Sequence, residues 1–331
     1  MASPPGSNEH RWTSRRARWF NSAVQISNFP AQTLKALEPI LAGCRSVLDV
    51  GAGVGALTIP LAKSVERVTA LEPSPSMLEE LRENIARSCL ENVTCVPASW
   101  GEAKIPPHDL ILAANVAPIF DDLLGFLAAA TPLARRTMAL VQNVGPGTEK
   151  FYLGELYPLL FGRPYPPRAD YLRSVTLLHS IGIYANVRII GYDFDQPFED
   201  LQEAVDFWKE QMRLEDPEHE RKLVEFLHTR LQRVGSRLVA PLRRQSAVLW
   251  WRVSPKDQGG EVLPVLCRQR PCRENPPSPP CRNPPNPPLA KRGTGGFRRH
   301  DISCTYPAER IYLRISPDQA GAYGLHCASI C

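Results

Sequence analysis

The feature that most constrains this chain is the run Val47-Leu48-Asp49-Val50-Gly51-Ala52-Gly53-Val54-Gly55. Residues 46–50 read as a short apolar strand, and three glycines spaced two apart then turn the chain before a helical segment at 56–63. Glycine permits positive φ and lets a ligand come close to the main chain. Strand, glycine turn and helix in that order let the backbone approach a nucleotide-like ligand.

The rest of residues 1–255 alternates strand-like and helix-like segments, which is the pattern of a parallel α/β sheet. Residues 30–41 read as a helix with Leu34, Leu37 and Leu41 on one face and Gly43 just past its end. A second strand, 67–71, ends at Glu72, and Ser74-Pro75 then opens a helix running to about residue 88. Residues 92–96, 109–113 and 137–142 read as strands three, four and five. An insert at 145–183, rich in Tyr, Leu and Pro, precedes a sixth strand at 184–192. Residues 198–214 have a helical period with Phe198, Leu201, Val205, Trp208 and Met212 as the buried stripe. Residues 217–234 read as a further helix stopped by Gly235, and 246–253 as the last strand.

Charge divides the chain in two. Residues 1–255 hold 28 basic and 28 acidic side chains, whereas 256–331 hold 11 basic and 6 acidic, which accounts for the whole net charge of +5. The basic balance therefore gives no support to nucleic-acid binding by the folded part. Residues 256–331 also carry six of the nine cysteines and the runs 276–280 and 284–288, with few apolar anchors. Such a segment cannot bury enough surface to offset its chain entropy, so a Pro/Cys-rich basic disordered tail is expected. Residues 283–297 read as translated repeat DNA, a read-through past an earlier end near Val253. No stretch approaches the ~18–20 apolar residues of a membrane span. The basic, Trp-containing run 10–20 lacks an apolar signal-peptide core, so a cytoplasmic protein is expected. Cys44, Cys89 and Cys95 are scattered, and the later cysteines lack paired CxxC spacing, so no metal site is expected.

Glu72 stands 21 residues after Gly51, where a carboxylate can accept hydrogen bonds from two ribose hydroxyls. Gly51-x-Gly53-x-x-Ala56 fits the dinucleotide fingerprint too, so spacing alone leaves a nicotinamide cofactor and another adenosine cofactor both open. Asp49-x-Gly51-x-Gly53-x-Gly55, with Glu72 closing strand two, resembles the S-adenosyl-L-methionine (SAM) site of class I methyltransferases. That family carries an acidic residue two positions before the first glycine, where dinucleotide dehydrogenases usually have an apolar one. The resemblance spans roughly residues 45–253. It implies a seven-stranded, mostly parallel Rossmann-like sheet with helices on both faces, a helical insert after strand five, and SAM as cofactor. By position, Asp49 and the turn Gly51, Ala52, Gly53 and Gly55 would hold the methionine end, and Glu72 the ribose. Ser99 and Trp100 would meet the edge and face of adenine, and Asn115 would lie at the floor of the methyl-transfer site.

Three regions are expected: residues 1–29 as an N-terminal helical lid or cap, 30–255 as the methyltransferase domain with 145–183 as a substrate lid, and 256–331 as the tail. Trp12, Trp19 and Phe20 either cover the cofactor mouth or simply dock on the sheet. A sulfonium methyl group is already an electrophile, so its transfer needs positioning and exclusion of water more than a nucleophile. Asn115 and His179 are the candidate catalytic side chains, and Tyr152, Tyr157, Tyr165, Tyr171 and His179 could line an apolar pocket. His108 reads as a surface residue at the opposite end of strand four. The expected activity is methyl transfer from SAM to an oxygen, nitrogen or carbon of a small-molecule acceptor, with no nucleic acid and no membrane as partners. The alternatives are an RNA or protein methyltransferase and a non-catalytic SAM-binding module; no oligomeric state is implied. Removing residues 256–331 is expected to leave the melting temperature and activity unchanged, and a thermal melt of the shortened chain beside the full one checks this.

Overall fold

Leucine-rich and β-branched runs supply the buried strands, and capped amphipathic segments between them supply the helices. The computed structural model describes residues 12–145, 150–166 and 171–253. By its contacts the chain divides into Met1–Pro271 and Cys272–Cys331, and only the first unit contains described residues. The expected tail and the first eleven residues of the expected cap lie outside them.

In chain order the elements are α1 (Ser14–Ile26), α2 (Phe29–Leu41), β1 (Ser46–Val50), α3 (Thr58–Ala62), β2 (Arg67–Leu71), α4 (Pro75–Arg87) and β3 (Val93–Val96). Next come β4 (His108–Ala114), α5 (Ala117–Asp121), α6 (Leu123–Ala130), β5 (Ala134–Asn143), α7 (Leu153–Phe161), α8 (Tyr171–Ser180) and β6 (Asn186–Asp193). The chain then forms β7 (Gln196–Phe198), α9 (Leu201–Met212), α10 (Pro217–Arg230), β8 (Gln232–Val234), β9 (Arg237–Ala240) and β10 (Arg243–Arg252).

Seven strands form one sheet in the order β3-β2-β1-β4-β5-β10-β6, with β10 antiparallel to both its neighbours and the rest parallel. All five residues of β1 are buried, as a central parallel strand covered on both faces requires. Alternate side chains feed two cores. Val47 joins Leu37, Leu61 and Val248 on one face, and Leu48 joins Ile111, Phe126 and Leu140 on the other. The expected sheet and the helical insert after β5 are both present.

A smaller sheet, β7-β9-β8, was not foreseen. With α7, α9 and α10 it encloses a third core of Leu156, Phe198, Phe207, Trp208, Leu223 and Leu227, joined by Trp19 of α1. Two helix readings are corrected here. Phe198 lies in β7, and α9 starts only after Asp200, whose carboxylate accepts the Glu203 N–H at 2.8 Å. The helix expected to run to Val234 stops at Arg230. Gly235, at φ +61°, instead turns Val234 back so that β8 pairs with β9. A three-residue strand carries too little pattern to be told from a helix end in sequence.

His108 is also corrected: it is fully buried. Its Nδ1 lies 2.6 Å from the Pro106 carbonyl and its Nε2 2.8 Å from the Thr69 hydroxyl. A carbonyl only accepts, so Nδ1 carries a proton, while the Thr69 hydroxyl can donate to Nε2 or accept from it. Burial holds its pKa below the usual histidine value. The unfolded chain therefore binds the proton more readily, near pH 6.5, and the stabilisation is full above that pH and is lost as the pH falls below it. The gap in melting temperature between the wild type and His108→Gln is expected to narrow from pH 7 to pH 5. Paired thermal melts check this.

Candidate cofactor and acceptor site

The register fixes which groups meet. β1, β2, β3, β4 and β5 end on the same edge of the sheet, and so does the start of β10, since Ser246 pairs with Asn143. The turn after Val50, Glu72 after Leu71, Ser99 and Trp100 beyond Val96, and Asn115 after Ala114 therefore all lie off one edge.

The turn has Gly51, Gly53 and Gly55 at φ +71°, +57° and +90°. Two of them are hemmed in by side chains and the third is not. A Cβ on Gly51 would lie 2.5 Å from Val116 Cγ2, and one on Gly55 would lie 2.6 Å from Leu81 Cδ1. A Cβ on Gly53 would meet only Phe20 Cε1 at 4.0 Å, so this residue faces open space beneath the α1 aromatic ring. Both Gly51 and Ala52 donate N–H to the Leu71 carbonyl, at 2.8 and 3.0 Å. Gly53 donates to Glu72 Oε2 at 2.8 Å, and Ser74 donates to Oε1 at 2.8 Å.

Two carboxylates are buried at this turn. Asp49 is 2% exposed, and its Oδ2 accepts from the Thr58 hydroxyl at 2.6 Å. Burial pushes its pKa up to about 6, against the pull of the Thr58 hydrogen bond and with a smaller push from Glu72. Burial also raises Glu72, opposed by its bonds from Ser74 and Gly53. A carboxylate offers about four acceptor positions, and Glu72 uses two on the backbone, which leaves capacity for hydroxyl donors. Gly53's open face and these acceptors fit an adenosyl ligand with a cationic amino-acid end.

Residues 47–135 match a family described as a methyltransferase domain. The chain carries a methyltransferase domain over residues 47–135. It is 24% identical over 250 residues to an uncharacterized protein of Haemophilus influenzae, covering 73% of this chain and 89% of that one. It is 27% identical to the magnesium-protoporphyrin O-methyltransferase of Rhodobacter capsulatus, over 45% of this chain and 64% of that enzyme. A solved magnesium protoporphyrin IX methyltransferase from Synechocystis, with S-adenosylhomocysteine bound, aligns at a TM-score of 0.38 and 15% identity, over 66% of this chain and 82% of that one.

In the methyltransferase domain, Asn115 is exposed beyond β4 in a left-handed conformation, φ +57°, with its N–H donated to the Val141 carbonyl at 2.8 Å. Asparagine tolerates that conformation better than most residues. Trp100 is half-buried against Phe126, ring centroids 5.0 Å apart, and the Ser99 N–H is donated to Glu102 Oε2 at 2.8 Å. His179 is not brought to this edge. It is exposed at the far end of α8 and packs on Tyr184, just before β6 begins at the opposite edge. The insert tyrosines pack rather than line a pocket: Tyr152 stacks on Trp208, and Tyr157 meets Phe161 and Tyr165.

A cavity of about 670 Å³ opens instead among Asn28, Val144, Tyr192, Asp193, Arg243 and Arg244, off the same edge as the glycine turn. Its basic residues went unremarked in the sequence because Arg243 and Arg244 precede the segment read as the last strand. Pairing with Asp193 and Tyr192 draws both into β10. Among the described residues no cluster of His, Cys, Asp and Glu could hold a metal, and no helix is long and apolar enough to cross a membrane.

Replacing Gly53 by Asn, which tolerates φ +57°, is expected to weaken S-adenosylhomocysteine binding by about tenfold or more, a loss of about 1.4 kcal/mol, with only a small shift in melting temperature. Gly55→Val, which drives carbons into Leu81, is expected to destabilise the fold itself. Calorimetric titration together with melts separates the two effects.

Proposed function

We propose that the protein transfers a methyl group from SAM to an oxygen, nitrogen or carbon atom of a small-molecule acceptor. The observation that carries this reading is the shared edge: the glycine turn follows β1, and the cavity opens beside β5 and β10. β1 and β5 are two strand spacings apart, roughly 10 Å, which is a molecular length for two ligands meeting over β4.

Asp49 and the turn Gly51–Gly55 hold the methionine end in this reading, Glu72 the ribose, and Ser99 and Trp100 the adenine. When bound, SAM supplies a sulfonium methyl group that needs no further activation. The chain contributes position and dryness. α1 serves as the cap of a domain at 30–255. Phe20 lies over Gly53, and Asn84 donates both to Asn21 Oδ1 at 2.9 Å and to the Val54 carbonyl at 2.8 Å, tying α1 to the turn. Asn115 forms the floor between the two ligands.

Three observations favour a small acceptor over RNA. Residues 1–255 are charge-balanced, the cavity volume suits a small molecule, and the Rhodobacter relative is named for a porphyrin substrate. The same reading places the protein in the cytoplasm.

A protonated Asp49 offers no charge to the cationic end of the cofactor, and with a pKa of about 6 it is protonated in mild acid. The dissociation constant for S-adenosylhomocysteine is expected to be flat above pH 7 and to rise about tenfold per pH unit well below pH 6, the limit for one linked proton. Asp49→Asn should weaken binding and flatten the profile. Binding of NAD with no binding of S-adenosylhomocysteine would overturn the cofactor assignment, and a salt-sensitive gel shift with RNA would move the acceptor to nucleic acid.

A further inference from the structure

We infer that Asn84 of α4 is a positioning residue for cofactor binding that holds the glycine turn and α1 in one fixed relation, an inference that rests on the turn being the cofactor site. Asparagine is a weak helix former, and Asn84 lies inside α4, 4% exposed. A buried amide in such a place costs stability unless its hydrogen bonds are made. Here they are. Nδ2 donates to the Val54 carbonyl at 2.8 Å and to Asn21 Oδ1 at 2.9 Å. Oδ1 accepts from Arg87 Nη1 at 2.8 Å and from Gln25 Nε2 at 3.2 Å. That uses both donors and both acceptor positions of the amide.

The ends of this network fix its direction. The Val54 carbonyl only accepts, so the amide nitrogen of Asn84 must face it. A carboxylate only accepts as well, so Asn21, which donates to Glu80 Oε2 at 2.5 Å, turns its own oxygen toward Asn84. Gln25 donates to the same Asn21 oxygen at 3.2 Å. One side chain of α4 thus bonds the turn on one side and α1 on the other. Asn21 directly follows Phe20, the ring over Gly53.

What the bond to Val54 does follows from its neighbours. Val54 stands between Gly53 and Gly55, both at positive φ. A peptide group beside a glycine rotates at little steric cost. The bond from Asn84 fixes the plane of the peptide that joins Val54 to Gly55. Leu81, one helical turn before Asn84, fills the space that a Cβ on Gly55 would need. α4 therefore holds the turn by one apolar and one polar contact, and only the polar one sets the direction of a carbonyl. Without it the turn would divide among arrangements, and affinity falls with the fraction of chains in the binding one.

The test uses the full chain, with S-adenosylhomocysteine titrated by calorimetry and hydrogen exchange of residues 51–57 followed in the ligand-free protein. Asn84→Asp keeps the shape and the acceptors but puts an oxygen where the donor faced Val54. It is expected to weaken S-adenosylhomocysteine by about tenfold, as when one chain in ten has the binding arrangement, and to speed exchange in the turn. Gln25→Met removes a bond to Oδ1 and leaves the donor in place, so it should change the affinity by less than about twofold. Leu127→Ala, in the core on the other face of the sheet, is the structural comparison. It should lower the melting temperature at least as much as Asn84→Asp, yet leave the affinity and the exchange of the turn unchanged. If Asn84→Asp does not fold, Asn84→Ala, which buries no charge, takes its place with the same expectation. Affinity unchanged in the Asn84 variant, affinity lowered no more than in Leu127→Ala, or exchange of the turn as slow as in the wild type would each overturn the inference. If the wild type binds no S-adenosylhomocysteine, the cofactor reading fails by itself, and hydrogen exchange still decides whether Asn84 holds the turn.

Discussion

The carboxylate of Glu72 ties the glycine turn to its neighbouring strand, and the rest of the site depends on that link. The first three N–H groups after β1 go to two consecutive residues at the end of β2: Gly51 and Ala52 to the Leu71 carbonyl, Gly53 to the Glu72 side chain. This is possible only because β1 and β2 run parallel with Val50 opposite Leu71. A slip by one residue would turn every β1 side chain to the wrong face and carry Glu72 out of reach. Burying Glu72 beside Asp49 is electrostatically unfavourable, and the backbone and Thr58 hydrogen bonds offset it. A site that already holds two desolvated carboxylates gains from a ligand that brings hydroxyl donors and positive charge.

α1 connects this turn to the second part of the molecule. Trp19 and Phe20 are consecutive, yet Trp19 enters the core of β7, α9 and α10, while Phe20 packs on the main sheet over Gly53. Trp19 is held twice, with its indole N–H donated to Glu203 Oε1 at 2.9 Å and its carbonyl accepting from Gln196 at 2.9 Å. The ion pairs of Arg15 with Asp206 and Glu210 lie on the surface, where such contacts contribute little. The apolar and amide contacts therefore set the position of α1. A helix fixed on two cores keeps Phe20 in place whether or not a ligand lies below it.

The local arrangement of strand, glycine turn and carboxylate was legible in advance. Asp49, the three glycines and Glu72 are tied to strand ends, and a strand end is marked by where an apolar run stops. His108 was misread because its two partners, Thr69 and the Pro106 carbonyl, make a buried polar residue satisfactory only in three dimensions. His179 had a helical setting and a titratable ring, but α8 runs against the parallel strands and delivers that ring to the wrong edge. The tyrosines of the insert looked like pocket residues by composition, but Tyr152 packs on Trp208 and Phe226, and Tyr157 meets Phe161 and Tyr165.

The sequence by itself determined the parallel sheet, the glycine turn and the carboxylate beyond β2, because strand periodicity and glycine's freedom at positive φ act over a few neighbouring residues. The tertiary structure alone decided the small second sheet, the aromatic ring over Gly53 and the arginine between Phe151 and Phe194. Phe20 and Gly53 are 33 positions apart, β7 meets β9 across 40 to 44 positions, and Arg244 lies 50 and 93 positions from the two rings. No local pattern records contacts over such separations, since they exist only once the chain has folded.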